Sequence, residues 1–147
     1  MSRKLEIMQA LIAAWTRGDI DGALSHMSDD IVWHYAVAVA PPLKGKVKAR
    51  KFLEGFKARI TEVNWRIFDY AEQGDRLFVE GVDEFRSTDG HVVATPYAGV
   101  LEFRGDLICA WRDYVDVSVM QAQQEGAAAT AWVAELIARP ALPAKAV

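Results

Sequence analysis

The chain has 147 residues, of which 52% are hydrophobic and 25% charged, so it is long enough to bury one sizeable core and too short for two. Its net charge of −3, with dispersed Lys and Arg, gives no basic surface for nucleic acid or anionic lipid. The only cysteine, Cys109, leaves no intrachain disulfide or thiolate metal cluster, and no stretch approaches the ~20 apolar residues that cross a bilayer. We therefore expect a cytoplasmic protein that binds neither nucleic acid nor membranes.

The first part of the chain predicts mainly helices. Apolar residues recur every three to four positions, Ser2 and Asp19 are suited to cap helix starts, and Gly18 is suited to end the first helix. A strand is predicted next, because a turn-like Ser-Asp-Asp segment precedes alternating residues and Pro41 follows them. The predicted helices are 2–17, 19–27 and 45–60, the turn is 28–30, and the strand is 31–39.

In the second part of the chain the apolar period changes from about four to two. This period predicts strands joined by short Gly-Asp and Asp-Gly turns, at 62–72, 76–86, 91–103 and 107–117. A helical tail is predicted from about residue 119. We expect one α+β domain over 1–147, in which helices lie on one face of a curved antiparallel or mixed sheet. The open end of such a cone suits a small ligand.

Two aspartates interrupt the apolar rows of these strands. Side chains two apart share a face, which places Asp83 with Leu77, Val79, Gly81 and Phe85. The same count places Asp113 with Leu107, Cys109, Trp111 and Val115. Because an unpaired carboxylate in an apolar setting is costly to ionise, two of them in one cavity are candidates for proton transfer. Pairing of each aspartate with a loop or a buried arginine is the structural alternative.

Other side chains are predicted to form the walls of this cavity. Trp33, Tyr35 and Val37 share one row of the first strand, so Tyr35 should enter the cavity, as a structural or a positioning group. Tyr97 and Gly99 should face inward, and Gly81 and Gly99 should leave room for a ligand. The predicted substrate-binding residues are Trp33, Val37, Gly81, Phe85, Tyr97, Gly99 and Trp111.

Several segments together resemble the nuclear transport factor 2-like superfamily, which includes SnoaL-like proteins and ketosteroid isomerases. They are Gly-Asp-Ile-Asp-Gly-Ala (18–23), Asp-Asp-Ile-Val-Trp (29–33), the Gly-led third helix and Trp-Arg-Asp-Tyr-Val-Asp (111–116). Within that group, the settings of Tyr35, Asp83 and Asp113 look most like limonene-1,2-epoxide hydrolases. The resemblance implies a cone-shaped, cystatin-like fold. It also implies hydrolysis of a small hydrophobic epoxide, with Asp83 as acid, Asp113 as base and Tyr35 as positioner.

Two positions depart from the pattern of those hydrolases. The family has an Arg two residues before the acid and an Asn two residues after the Tyr, where this chain has Gly81 and Val37. Two alternatives therefore stand beside the hydrolase: an isomerase or dehydratase similar to ketosteroid isomerase, and a non-catalytic binder of a small apolar ligand. We expect no metal or other cofactor, and a homodimer formed through the sheet face away from the helices.

Overall fold

In a computed structural model the chain folds into a curved sheet that wraps around helices. The structure describes residues 2–143; the ends of the predicted 1–147 domain, residue 1 and residues 144–147, lie outside the described residues. The helices of the described part are α1 (Arg3–Thr16), α2 (Ile20–Leu24), α3 (Lys46–Lys57), α4 (Val117–Gln124) and α5 (Ala131–Ile137). Its strands are β1 (Met27–His34), β2 (Leu43–Lys44), β3 (Ile60–Val63), β4 (Arg66–Gln73), β5 (Arg76–Ser87), β6 (Val92–Arg104) and β7 (Leu107–Val115).

The sheet has the order β2-β1-β7-β6-β5-β3, and β4 also pairs with β5. Strands β4 to β7 form the predicted antiparallel meander, while β1 adds to β7 in parallel. The α+β fold class is thus confirmed, with a mixed sheet. The concave face packs against α1, α2 and α3 in one apolar core.

The predicted strand at 62–72 is two strands, β3 and β4, separated by Asn64 and Trp65. Both pair with the long strand β5: β3 with its end near Ser87 and β4 with its beginning. The break lets this part of the chain bend with the sheet, and Trp65 lies at the bend. Sequence periodicity missed the break because the alternation on either side continues.

The first strand also differs from its prediction at both ends. The expected turn at 28–30 belongs to β1, and β1 stops at His34 instead of reaching Val39. Parallel pairing with β7 holds the early residues in the sheet, so tertiary contact overrides the turn propensity of Ser-Asp-Asp. Residues 35–40 form bends and turns. Val37 consequently leaves the strand row that Trp33 begins.

A β-bulge changes which residues of β7 face the core. Glu102 is opposite Ala110 and Phe103 is opposite Ile108, so Cys109 is the extra residue. Ile108 is fully buried, while Cys109 is half-buried and its thiol contacts the Glu102 carbonyl at 3.4 Å. The prediction that Leu107 and Cys109 face inward was therefore wrong, although Trp111 beyond the bulge is on the core side.

The C-terminal tail wraps over the outer face and one end of the sheet. Near its beginning β6 is not paired with β7, and there the buried Gln123 of α4 bonds to the backbone of Ala94. The Gln123 Oε1 accepts from the Ala94 N–H at 2.7 Å, and the Gln123 Nε2 donates to the Ala94 carbonyl at 3.0 Å. Helix α5 then packs Ile137 against Phe68 and Val82. This tail covers part of the face that we expected to form a homodimer, and the dimer stays a prediction. No helix in the described residues is long and apolar enough to cross a membrane.

Candidate active site

A cavity of about 630 Å³ lies between the concave face of the sheet and the helices. Aromatic side chains dominate its wall: Trp15, Trp33, Tyr35, Phe52, Phe56, Trp65, Phe85, Tyr97 and Trp111. Helix α4 closes one side with Val117, Met120 and Gln124. The volume lies within the range of sites for drug-sized ligands, so the cavity suits a small and largely apolar molecule.

Most of the predicted site residues come together in this cavity. Asp83 and Asp113 both line it, as does Tyr35, and the predicted wall residues Trp33, Phe85, Tyr97 and Trp111 line it too. Val37, Gly81 and Gly99 do not. Val37 lies in the turn after β1, where its N–H donates to the Asp113 carbonyl at 3.1 Å, so its backbone, not its side chain, supports the site.

The space beside each of the two glycines is occupied by neighbouring side chains and is not open to a ligand. A Cβ at Gly81 would lie 3.0 Å from Cε1 and 3.2 Å from the hydroxyl of Tyr97. A Cβ at Gly99 would lie 2.8 Å from Asp113 Oδ1 and 3.4 Å from Tyr97 Cε2. The ring of Tyr97 therefore rests over both glycines. In the hydrolase pattern an arginine rises from position 81; here the phenol of Tyr97 fills that space.

Tyr97 lies between the two aspartates in the sheet. Its Cα partners are Gly81 on β5 and Val115 on β7, and the aspartates are two residues from these partners, at Asp83 and Asp113. Tyr97 is thus a diagonal neighbour of both carboxyl groups. No direct hydrogen bond joins the two aspartates in the described structure, because β6 lies between their strands.

Two tryptophans hold the polar groups of this arrangement. Trp65 Nε1 donates to the Tyr97 hydroxyl oxygen at 2.6 Å, and Trp111 Nε1 donates to Asp113 Oδ1 at 2.9 Å. Since an indole N–H can only donate, the Tyr97 proton is left free for another acceptor. Asp83, by contrast, has no hydrogen-bond donor among residues 2–143 and remains a free acceptor.

Burial raises the pKa of both aspartates. Loss of hydration, opposed by the Trp111 N–H and reinforced by the charge of Asp83, raises the pKa of Asp113 to about 8. Burial alone raises the pKa of Asp83 to about 6. Burial therefore opposes full ionisation of the pair near neutral pH, so that one of the two carboxyl groups can hold a proton while the other is ionised.

The phenol of Tyr97 is kept protonated by the same surroundings. Burial raises its pKa well above the ordinary value, the charges of Asp113 and Asp83 raise it further, and the Trp65 N–H lowers it. The site thus combines the O–H donor of Tyr97 with a carboxyl pair that can supply one further O–H donor and one carboxylate acceptor. Such a set can take a proton from a substrate while it stabilises a developing oxyanion.

Within residues 2–143, no basic side chain forms an ion pair with either aspartate of the cavity. Arg59 is the only basic residue that lines the described cavity, and its exposed guanidinium lies over the Phe56 ring. Arg66, near in sequence to the site, instead pairs with Glu84 at 3.3 Å on the outer face. The described residues also contain no group of His, Cys, Asp and Glu that could hold a metal ion.

Tyr35 lines the same cavity as the two aspartates, and its role as a positioning residue stays a prediction. Its ring stacks on Phe52 with centroids 4.3 Å apart, and its hydroxyl makes no hydrogen bond within residues 2–143. The position between the acids belongs to Tyr97, which the sequence placed only on the wall. Trp65 and Phe52 were not identified from the sequence; the spacing of Phe52 and Phe56 on α3 was the available signal for the aromatic wall.

Thr95 is a further cavity residue that the sequence reading did not identify. It faces Asp83 as its Cα partner on β6, is 2% exposed, and its hydroxyl has no hydrogen-bond partner in the described structure. The alternation on β6 that puts Tyr97 inward also puts Thr95 inward, so the same count would have found it.

Similar solved structures share the fold. A protein with a ketosteroid isomerase-like fold from Catenulispora acidiphila DSM 44928, in complex with trimethylamine, is 25% identical, with a TM-score of 0.72 over 81% of this chain and 92% of that one. An M. tuberculosis LEH-like epoxide hydrolase is 22% identical, with a TM-score of 0.72 over 84% and 91%. A protein from Shewanella putrefaciens CN-32, described as a SnoaL-like polyketide cyclase, is 16% identical, with a TM-score of 0.76 over 85% and 98%.

These likenesses concern the fold more than the chemistry, because the latter two proteins are less than 25% identical to this chain. The chain has no significant match among curated proteins. The model of the SnoaL-like domain family, however, matches residues 8–111, which reach from α1 to Trp111 in β7 and include Asp83 and Tyr97. The chain therefore belongs to the SnoaL-like family, within the nuclear transport factor 2-like fold.

Proposed function

We propose that the protein catalyses proton transfer next to a carbonyl group of a small, largely apolar molecule, as an isomerase, dehydratase or cyclase does. The observation that carries this proposal is the placement of Tyr97 between Asp83 and Asp113. A carbonyl oxygen in the cavity would accept hydrogen bonds from the two O–H donors. The ionised acid would remain free to act as the base.

In this reaction the Asp83 carboxylate takes a proton from the carbon next to the carbonyl. The electron pair moves to the carbonyl oxygen, and the O–H groups of Tyr97 and Asp113 stabilise the enolate. Asp83 then returns the proton to a different carbon, which completes an isomerisation. A base with a pKa of about 6 suits this task near neutral pH.

Hydrogen exchange tests the proposal without knowledge of the natural substrate. A panel of apolar cyclic ketones is incubated with protein in D₂O, and deuterium uptake is followed by mass spectrometry. We expect wild type to accelerate uptake and Asp83→Asn to lose about 10²- to 10⁴-fold of that rate. Glu84→Gln is the matched control, because Glu84 is the next residue of β5 and faces the opposite side. Equal rates in wild type and Asp83→Asn would refute the assignment of the base.

Epoxide hydrolysis is the second candidate, supported by the acid pair in an apolar cavity and by the likeness to the M. tuberculosis protein. The pKa order makes Asp113 the proton donor to the epoxide oxygen and Asp83 the base for water. Position 81 offers no arginine, and the side chain of Val37 lies outside the cavity. Diol formation by wild type and its loss in Asp113→Asn, without ketone exchange, would favour this candidate over the first.

A binding function without turnover is the third candidate. Aromatic walls beside an uncompensated carboxylate suit an organic cation, and the Catenulispora protein is in complex with trimethylamine. Thermal unfolding with trimethylamine tests this candidate, since a ligand that binds only the folded state raises the Tm. A rise that disappears in the Asp83→Asn variant, together with no exchange and no diol, would support a binder.

A further inference from the structure

We propose that Trp65 is a positioning residue that holds the Tyr97 hydroxyl in place and directs its proton into the cavity. The inference rests on the proposed function, in which Tyr97 donates to a substrate oxygen. Trp65 lies between β3 and β4, at the bend where β5 changes its pairing partner. No part of the proposed reaction otherwise uses this residue.

The contact between the two side chains is short and directional. Trp65 Nε1 donates to the Tyr97 oxygen at 2.6 Å, and the two rings meet nearly edge to face, with centroids 6.1 Å apart and an interplanar angle of 67°. Because the oxygen accepts from the indole, rotation of the phenol proton toward Trp65 is disfavoured. The proton is therefore directed to the remaining side, where the cavity lies.

A second tryptophan braces the first. Trp65 stacks on Trp111, with centroids 5.8 Å apart and an interplanar angle of 25°, and Trp111 donates to Asp113. Trp111 is 1% exposed and stacks in turn on Trp33, at 5.4 Å. One aromatic stack thus fixes both O–H donors of the proposed oxyanion site, and Trp65 is its outer member.

A further consequence concerns the acidity of Tyr97. A donor to the phenol oxygen stabilises the phenolate more than the phenol, so the Trp65 N–H lowers the pKa of Tyr97. This contribution opposes burial and the two aspartates, which raise it. A phenol of lower pKa donates a stronger hydrogen bond to a developing enolate.

The test follows the titration of Tyr97 in protein labelled with 3-fluorotyrosine, using ¹⁹F NMR across alkaline pH, with the resonance identified by its loss in Tyr97→Phe. Trp65→Phe keeps an aromatic ring and removes the donor. We expect the pH at which Tyr97 begins to titrate to rise, because the donor that lowers its pKa is removed. Trp15→Phe is the matched control, because Trp15 lines the same cavity but makes no hydrogen bond to Tyr97. Trp65→Leu should give the same direction of shift if the Phe variant folds poorly.

Ketone exchange in D₂O supplies the second readout. Trp65→Phe should lower the maximal exchange rate by about tenfold with little change in KM, and should have no further effect in a Tyr97→Phe background. Unchanged titration of Tyr97 in both Trp65 variants would overturn the inference. An altered titration without any wild-type exchange would instead support the positioning of Tyr97 and count against the proposed function.

Discussion

The two faces of the sheet differ in whether their acidic side chains are paired with arginines. On the outer face acidic side chains meet arginines: Glu84 with Arg66 at 3.3 Å, Glu102 with Arg112 at 2.6 Å, and Glu80 with Arg139 at 2.8 Å. On the inner face Asp83 and Asp113 have no basic partner among residues 2–143, and burial raises the pKa of both. The same strands carry both arrangements, since Glu84 follows Asp83 and Arg112 precedes Asp113.

This contrast separates structural charges from reactive ones. Outer pairs are partly exposed, so each contributes little to stability and responds to salt. The inner aspartates cost stability, because their ionised forms lose hydration without gaining a cation. A protein that keeps such groups beside an aromatic cavity gains proton-transfer groups with pKa values near neutrality. We therefore expect the inner aspartates to lower the stability of the protein and to support its activity.

The largest expected effect of breaking the inner arrangement is on activity. Tyr97→Phe removes one of the two O–H donors and should lower ketone exchange by about 10²- to 10³-fold. Tyr114→Phe is the control, since Tyr114 lies on the outer face of β7 and is 52% exposed. Exchange rates measured for both variants check this prediction. Equal losses in the two would mean that the hydroxyl of Tyr97 has no special part in the reaction.

The next effect concerns the pH dependence of stability. Because the pKa of Asp113 is raised to about 8 and that of Asp83 to about 6, the folded state binds more protons than the unfolded state above pH 4. The free energy of unfolding should therefore fall as pH rises from about 4 to about 8. Urea unfolding at several pH values measures this slope.

Asp113→Asn should flatten most of that slope and stabilise the protein at pH 8.5, because it removes a buried ionisable group. Glu102→Gln on the outer face should leave most of the slope in place, since the Glu102 side chain is 40% exposed and its ion pair with Arg112 contributes little. A wild-type stability that rises between pH 5 and 8, as it does when carboxylates gain cationic partners, would contradict the account.

The smallest effect concerns the space over the glycines. Gly81→Ala places a Cβ 2.3 Å from the Arg66 carbonyl oxygen and 3.0 Å from the Tyr97 ring, so we expect a loss of about 1–3 kcal/mol and a displaced phenol. Gly55→Ala, in the exposed part of α3 with no atom within 4 Å of the new Cβ, should stabilise the protein by about 0.5–1 kcal/mol. Thermal unfolding of the two variants compares them. A Gly81→Ala protein as stable as wild type would show that both the Arg66 carbonyl and the Tyr97 ring can move away from position 81 at little cost.

The sequence was most informative where periodicity was long and regular. The strands β5 and β6, with alternation over 12 and 13 residues, were found within one residue of their ends, and the capped helix α1 likewise. Long-range pairing decided the rest. β1 joins β7 in parallel from Met27, and a bulge at Cys109 shifts the row of β7, neither of which a local count can detect.

Prediction of the site from the sequence was limited in the same way. Alternation placed Asp83, Asp113 and Tyr97 on inner rows, because each strand fixes its own faces. The position of Tyr97 between the aspartates depends on the register of three strands. The donor Trp65 lies in a break between two strands. Gly81 and Gly99 were expected to leave open space, but the ring of Tyr97 occupies it. The tail, too, covers an outer face that sequence reasoning left open.

Asp83 and Asp113 are expected to hold one proton between them near neutral pH, and titration of the two carboxyl groups measures this directly. Carboxyl ¹³C shifts followed from pH 3 to pH 10, assigned with Asp83→Asn and Asp113→Asn, should give a group near pH 6 and a group near pH 8. In Asp83→Asn the remaining Asp113 should titrate at lower pH, because the charge of Asp83 is gone. In Asp113→Asn the remaining Asp83 should still titrate near pH 6, because burial alone raises its pKa. Two independent titrations near pH 4 would contradict the account, since both carboxyl groups would then be ionised and neither could donate a proton.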